Sequence, residues 1–147
     1  MDKIKPLFTA TATASGGRNG RTESSDGMVK VDLSVPKEMG GPGKPNTATP
    51  EHLFAAGYAA CFHSALRVVG RTERADLTDS AVAAKIHFGA LDGGEGYGLA
   101  AELEIALPAL DRAAAEALMA KAHRICPYSN VTRGNMDVAL TLVEFAA

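Results

Sequence analysis

The chain has 147 residues, of which 46% are hydrophobic, 22% charged and 5% aromatic, with no Trp. A chain of that length buries about 70% of its unfolded surface, and the composition excludes a disordered or collagen-like polymer. Lys and Arg number 15 against 17 Asp and Glu, a formal net charge of −2, which predicts no sequence-blind attraction to nucleic acid or anionic membranes.

No apolar run approaches the ~20 residues of a bilayer span, and the charged start MDKIKPLFTA does not read as a secretory signal. A cytoplasmic chain without a membrane partner is expected. Cys61 and Cys126 form no CxxC pair. In a reducing compartment they read as reactive, metal-binding or buried thiols, a static disulfide being disfavoured.

No repeat, low-complexity tract or long linker divides the sequence, so residues 1–147 read as one domain. From Leu7 to Val35 apolar and polar residues tend to alternate, clearest at Val29, Val31, Leu33 and Val35; period two predicts half-buried strands. Ser15 to Gly20, SGGRNG, suits a hairpin tip. Gly40 to Pro50 is a loop punctuated by Gly and Pro.

Thr49, Pro50 and Glu51 form a helix start, with a capping hydroxyl, Pro at the first position and an acid in the first turn. That helix should run to about Val69 and end at Gly70. Its nearly uniform Ala, Leu, Phe and small polar composition predicts a helix surrounded by protein, which in so small a chain hints at a partner subunit. Val82, Ala84, Ile86 and Phe88 predict a strand, and Tyr97, Leu99, Ala101, Leu103, Ile105 and Leu107 another, joined at DGGEG.

An amphipathic helix follows from Asp111 to about Ile125, with Leu118, Ala122 and Ile125 on one face and Arg112, Glu116 and Lys121 toward water. Pro127 stops it. Met136, Val138, Leu140 and Leu142 form a last strand. The pattern is α+β, without the βαβ alternation of a parallel sheet.

Helical neighbours at three, four and seven positions give Cys61 the company of Phe54, Gly57, Tyr58, Ser64, Ala65 and Val68. An apolar setting raises a thiol's pKa, so Cys61 reads either as a small core hydrophobe or as a reactive thiol that needs a cation from elsewhere in the chain. Cys126 sits in a helix's last turn, where the dipole disfavours a thiolate; it suits a resolving thiol or a core residue. Two Cys and two His also raise zinc, but Cys61 and His63, two apart on a helix, point in different directions, and no metal site is expected. A Cys–His–acid hydrolase triad has no support in the spacing.

GGPGKP is not a phosphate loop, since Pro45 stands where Ser or Thr is needed and Glu38 where a Gly is needed. DGGEGYG lies between two strands rather than before a helix, so it is no dinucleotide fingerprint.

Taken together, GGRNGR, LSVP with GGPG, TPEHLFAAGYAACF and HRICPYSNVTRGN resemble the organic hydroperoxide resistance protein family, a branch of the osmotically inducible protein C-like (OsmC-like) superfamily. The resemblance runs over nearly the whole chain. It implies an α+β fold in an intertwined homodimer, with long central helices packed against antiparallel sheets. It also implies thiol-dependent reduction of alkyl and lipid hydroperoxides to alcohols, with no bound cofactor and lipoylated proteins as dithiol donors.

Carried over by position, Cys61 is the peroxidatic and Cys126 the resolving cysteine. Arg18 is the cation that stabilises the thiolate, and Glu51 the acid that holds that arginine. His52 replaces the family's usual Gln and Asn19 its usual Asp. Apolar Phe54 and Tyr58 would bind the alkyl part of the substrate and favour bulky hydroperoxides over hydrogen peroxide.

Glu51 lies ten residues before Cys61, about 15 Å along a helix axis. A long Arg must bridge the two, or one comes from the second subunit, so the site is expected at or near the dimer interface. The competing readings are a general OsmC-like peroxidase and a redox-sensing or binding module that does not turn over.

Overall fold

The period-two stretch near the amino terminus folds as three short strands, β1 (Ala12–Ser15), β2 (Arg21–Ser24) and β3 (Lys30–Asp32), in an antiparallel sheet of that order. The computed structural model describes residues 2–144. Its backbone contacts gather into two compact units, Met1–Pro50 and Glu51–Ala147, where the sequence reads as one domain.

In the first unit the strand expected from Leu7 begins only at Ala12, and Ile4, Leu7 and Phe8 are exposed. The alternation through Val35 also outlasts the strand. Leu33 turns its N–H to the Gly20 carbonyl at 2.8 Å and pairs in parallel with Ala48, burying its side chain. Between β1 and β2 the glycine-rich tip makes a single 3-10 turn, Gly17–Asn19. Glycine is required there: a Cβ on Gly20 would lie 1.8 Å from the Ser15 carbonyl oxygen.

The second unit begins in α1 (Pro50–Glu73). The start is as expected, but the helix does not end at Gly70. That glycine is buried, and a Cβ on it would lie 2.6 Å from Leu77 Cδ1. It permits close packing rather than terminating the helix, which stops where Arg74 takes a positive φ of 56°. By length and composition α1 would also suffice to cross a bilayer, contrary to the sequence reading. Core helices pass the same test, and its Tyr58, Phe62 and Leu66 are fully buried.

β4 (Ala81–Ala90) and β5 (Tyr97–Ala106) form the expected hairpin, paired from Ala81↔Ala106 to Ala90↔Tyr97. α2 (Arg112–Ile125) is capped by Asp111, whose Oδ1 accepts from the Ala114 N–H at 2.8 Å. Its buried face is Ala115, Leu118, Met119 and Ala122, while Ile125, expected inside, is 47% exposed. The chain then resumes as a helix the sequence did not suggest, α3 (Pro127–Thr132), before β6 (Val138–Leu142). Met136, expected in that strand, precedes it; its N–H bonds the Thr132 carbonyl.

The sheet order is β4-β5-β6, and β6 runs parallel to β5, from Ala101↔Val138 to Ile105↔Leu142. This corrects the expectation of purely antiparallel sheets and of no βαβ unit. A parallel pair needs a long crossover, and α2 with α3 supplies it. The core of this unit joins Tyr58, Phe62 and Leu66 of α1 to Leu103 and Ile105 of β5 and to Leu118 and Ala122 of α2, with Cys126 in the same cluster.

Candidate active site

Pro127 decides the local geometry. The residue before a proline is biased away from helix, and Cys126 accordingly has φ −65° and ψ 123°. Pro itself is favoured at the first position of a new helix. Cys126 is therefore a joint: its N–H closes α2 onto the Ala122 carbonyl, and its carbonyl accepts from Asn130 in α3, both at 2.9 Å. The negative end of α2 is thus not its only helix-end neighbour, as the sequence had suggested.

The joint brings the two thiols together. Cys126 is fully buried and Cys61 partly so, and both are free. Cys126 Sγ donates to Cys61 Sγ at 3.4 Å. A disulfide requires about 2.05 Å, so the sulfurs need approach by only about 1.4 Å. Burial pushes the Cys61 thiol up, the Tyr128 backbone N–H at its sulfur draws it down, and Cys126 adds to the rise. Of the face expected around Cys61, Tyr58 and Ala65 are buried, whereas Ser64 and Val68 are exposed; the thiol stands at the edge of the buried face.

Three aromatic rings gather beside it. Phe54 and Tyr58 lie edge to face at 6.1 Å between ring centres, and Tyr128 is 5.7 Å from Phe54 and 5.6 Å from Tyr58. Gly57 leaves the room: a Cβ on it would fall 2.6 Å from Tyr128 Oη. Tyr58 is fully buried, while Phe54 and Tyr128 keep partial exposure.

Behind the rings runs a polar network. Tyr58 Oη meets Ser129 Oγ at 2.9 Å and Thr132 Oγ1 at 3.2 Å, and Ser129 Oγ meets His123 Nδ1 at 2.8 Å. Burial, and secondarily the Arg133 charge, hold the His123 imidazole below its usual pKa. The Arg133 guanidinium donates to the His123 carbonyl and to Asn130 Oδ1, fastening the end of α3 to the end of α2.

Arg18 belongs to the first unit, on the 3-10 turn, whose Asn19 Oδ1 accepts from the Val35 N–H at 2.9 Å. Glu51 is in the first turn of α1, so the ten-residue separation from Cys61 falls on one continuous helix. His63 turns Nε2 to Ser80 Oγ at 3.0 Å. Among the described residues no group of three or more His, Cys, Asp or Glu is arranged to hold a metal ion.

A family model described as OsmC-like protein matches residues 41–141. An organic hydroperoxide resistance protein of Xanthomonas axonopodis pv. citri is 48% identical over 94% of this chain and 96% of its own. The chain belongs to the organic hydroperoxide resistance family of OsmC-like proteins. Organic hydroperoxide resistance protein OhrA of Bacillus subtilis is 42% identical over 95% of this chain and 99% of its own. The crystal structure of an organic hydroperoxide resistance protein from Legionella pneumophila superposes with a TM-score of 0.89 at 45% identity, covering 95% of this chain and 100% of that one.

Sequence reasoning singled out the two cysteines of this family member and the Phe54 and Tyr58 rings beside Cys61, but not the rest of their surroundings. Tyr128 and Ser129 escaped it, and His123 was weighed only as a zinc ligand. Their one signal is spacing, since His123 lies three residues before Cys126 and Ser129 three after it, one helical turn on either side of the proline joint.

Proposed function

We propose that this chain is a cysteine-based peroxidase that reduces alkyl and lipid hydroperoxides to alcohols in the cytoplasm. The Cys61 thiolate attacks the distal peroxide oxygen. The O–O bond breaks, the alkoxide leaves and takes a proton as alcohol, and Cys61 becomes a sulfenic acid. Cys126 then attacks the Cys61 sulfur, releasing water and forming a disulfide, which a dithiol such as a lipoyl group of a donor protein reduces by two exchange steps. The observation that carries this reading is the pair of free sulfurs at 3.4 Å.

A thiolate is the attacking species, and burial works against it at Cys61. Arg18 supplies the compensating cation and stabilises charge developing on the peroxide oxygens; Glu51 orients Arg18. Phe54 and Tyr128 form the accessible apolar wall for the alkyl group, with the buried Tyr58 ring behind them. A homodimer fits the exposure of Ala56, Ala60 and Val68 on α1, surface that a second subunit would cover.

The test is consumption of tert-butyl hydroperoxide with dihydrolipoamide by the wild type, Cys61→Ser and Cys126→Ser. Many turnovers by the wild type, none by Cys61→Ser and impaired recycling by Cys126→Ser are expected. A fully reduced wild type that does not turn over would refute the peroxidase and favour a redox-sensing module.

A further inference from the structure

The Ser129 hydroxyl is fully buried and touches both cysteine-bearing helices. On α1 it meets Tyr58, three residues before Cys61; on α2 it meets His123, three residues before Cys126. Ser129 itself is in α3, next to the Tyr128 whose N–H points at the Cys61 sulfur. One hydroxyl therefore ties three helices together within one turn of each sulfur.

The protons in this network balance in one direction. Thr132 Oγ1 gives its hydrogen to the Ser129 carbonyl at 3.2 Å, so Tyr58 donates to Thr132 Oγ1, Ser129 to Tyr58 and His123 Nδ1–H to Ser129. Every buried side-chain polar atom among the described residues has a partner, so the arrangement is a closed tie rather than a half-satisfied cluster.

We propose that His123, acting through Ser129, is a positioning residue for the disulfide step: it holds the α2–α3 joint so that Cys126 stands against Cys61. The inference rests on the peroxidase reading above. It concerns a competition at the Cys61 sulfenic acid. Attack by Cys126 gives a disulfide and water, whereas attack on a second hydroperoxide gives a sulfinic acid and an alcohol, which is irreversible for most thiols. Loosening the joint lowers the population of closed sulfur pairs and sends more of the sulfenic acid down the second route.

His123 is the member to vary, because Tyr58 and Ser129 are fully buried and His123 is not. Its imidazole also packs near the Phe62 ring, 6.4 Å between centres, so packing and hydrogen bonding must be separated. Leu preserves an apolar contact with Phe62 and removes the hydrogen bond. Asn places an amide near the position of Nδ1 and can donate as Nδ1–H does. Gln reaches instead toward the position of Nε2.

Reduced wild type, His123→Leu, His123→Asn and His123→Gln are each treated with increasing tert-butyl hydroperoxide, and disulfide and sulfinic acid at Cys61 are quantified by mass spectrometry. His123→Leu and His123→Gln should raise the sulfinic-to-disulfide ratio about 5-fold, the population change expected from losing one hydrogen bond. His123→Asn should return it close to wild type. A ratio unchanged in His123→Leu, or one restored by Leu and not by Asn, would overturn the positioning role and leave the peroxidase standing. A wild type that forms no disulfide at all would overturn both.

Discussion

Tyr58→Phe removes one oxygen atom from the centre of the helix joint and nothing else. The ring keeps its contacts with Phe54 and Tyr128, so no cavity beyond that of a hydroxyl is left. Two hydrogen bonds are lost, to Ser129 at 2.9 Å and to Thr132 at 3.2 Å. Their partners are not orphaned. Ser129 Oγ keeps His123 Nδ1, and Thr132 Oγ1 keeps the Ser129 carbonyl.

The penalty for a buried unsatisfied group therefore does not apply, and the loss is the net value of two bonds, about 2 kcal/mol. For a chain of this length that lowers Tm by about 6 °C. Urea unfolding of the reduced protein, followed by circular dichroism, should show a lower midpoint at unchanged slope. A double-mutant cycle with Ser129→Ala should return a coupling energy near 1 kcal/mol, as contacting residues do. A destabilisation below about 0.5 kcal/mol, or no coupling, would refute the claim that these hydroxyls hold the joint.

Stability should also depend on pH through His123. Its folded pKa lies below the usual 6.5 because burial, and then Arg133, disfavour the imidazolium, so the unfolded chain binds the proton first. That contribution is present above pH 6.5 and is lost as pH falls from there through the folded value; urea midpoints between pH 7 and 5 should fall more steeply for wild type than for His123→Asn, and parallel curves would contradict the assignment. Gly57→Ala should hold the fold, since a helical alanine is favoured over glycine by up to about 1 kcal/mol, yet its Cβ displaces the Tyr128 phenol. KM should then rise more for cumene hydroperoxide than for tert-butyl hydroperoxide, and an equal KM for both would remove Tyr128 from the substrate wall.

Much of the architecture was legible because it is periodic. β4, β5, α1 and α2 are long enough for alternation or amphipathicity to repeat, and Pro50, Asp111 and Pro127 mark boundaries by steric and capping rules that act locally. What escaped has no period. α3 spans six residues, too few for a helical pattern to declare itself, and nothing in Val138–Leu142 says whether its neighbour runs parallel or antiparallel. Gly70 misled because a glycine late in a helical stretch reads as a stop, whereas here a neighbouring Leu77 side chain requires the absence of a Cβ.

The candidate site divides in the same way. Cys61 and Cys126 were visible as the chain's two thiols, and the family resemblance implied that they pair; the apolar face of Cys61 said only that a reactive thiol there would need a cation. The short α3 that completes the joint at Pro127 is what the sequence did not reveal.

That meeting has a chemical consequence. Packing Cys126 against Cys61 shortens the path to a disulfide, but the same burial and the same neighbouring sulfur raise the Cys61 pKa, and the thiolate, not the thiol, is the nucleophile. The Tyr128 N–H opposes the rise with a dipole, where a full positive charge acts more strongly. A peroxidase built this way would need a cation to recover its thiolate, which is the part proposed for Arg18. In the proposed mechanism the two requirements fall on different residues: the α2–α3 joint at Cys126 would govern the fate of the sulfenic acid, and Arg18 how readily it forms.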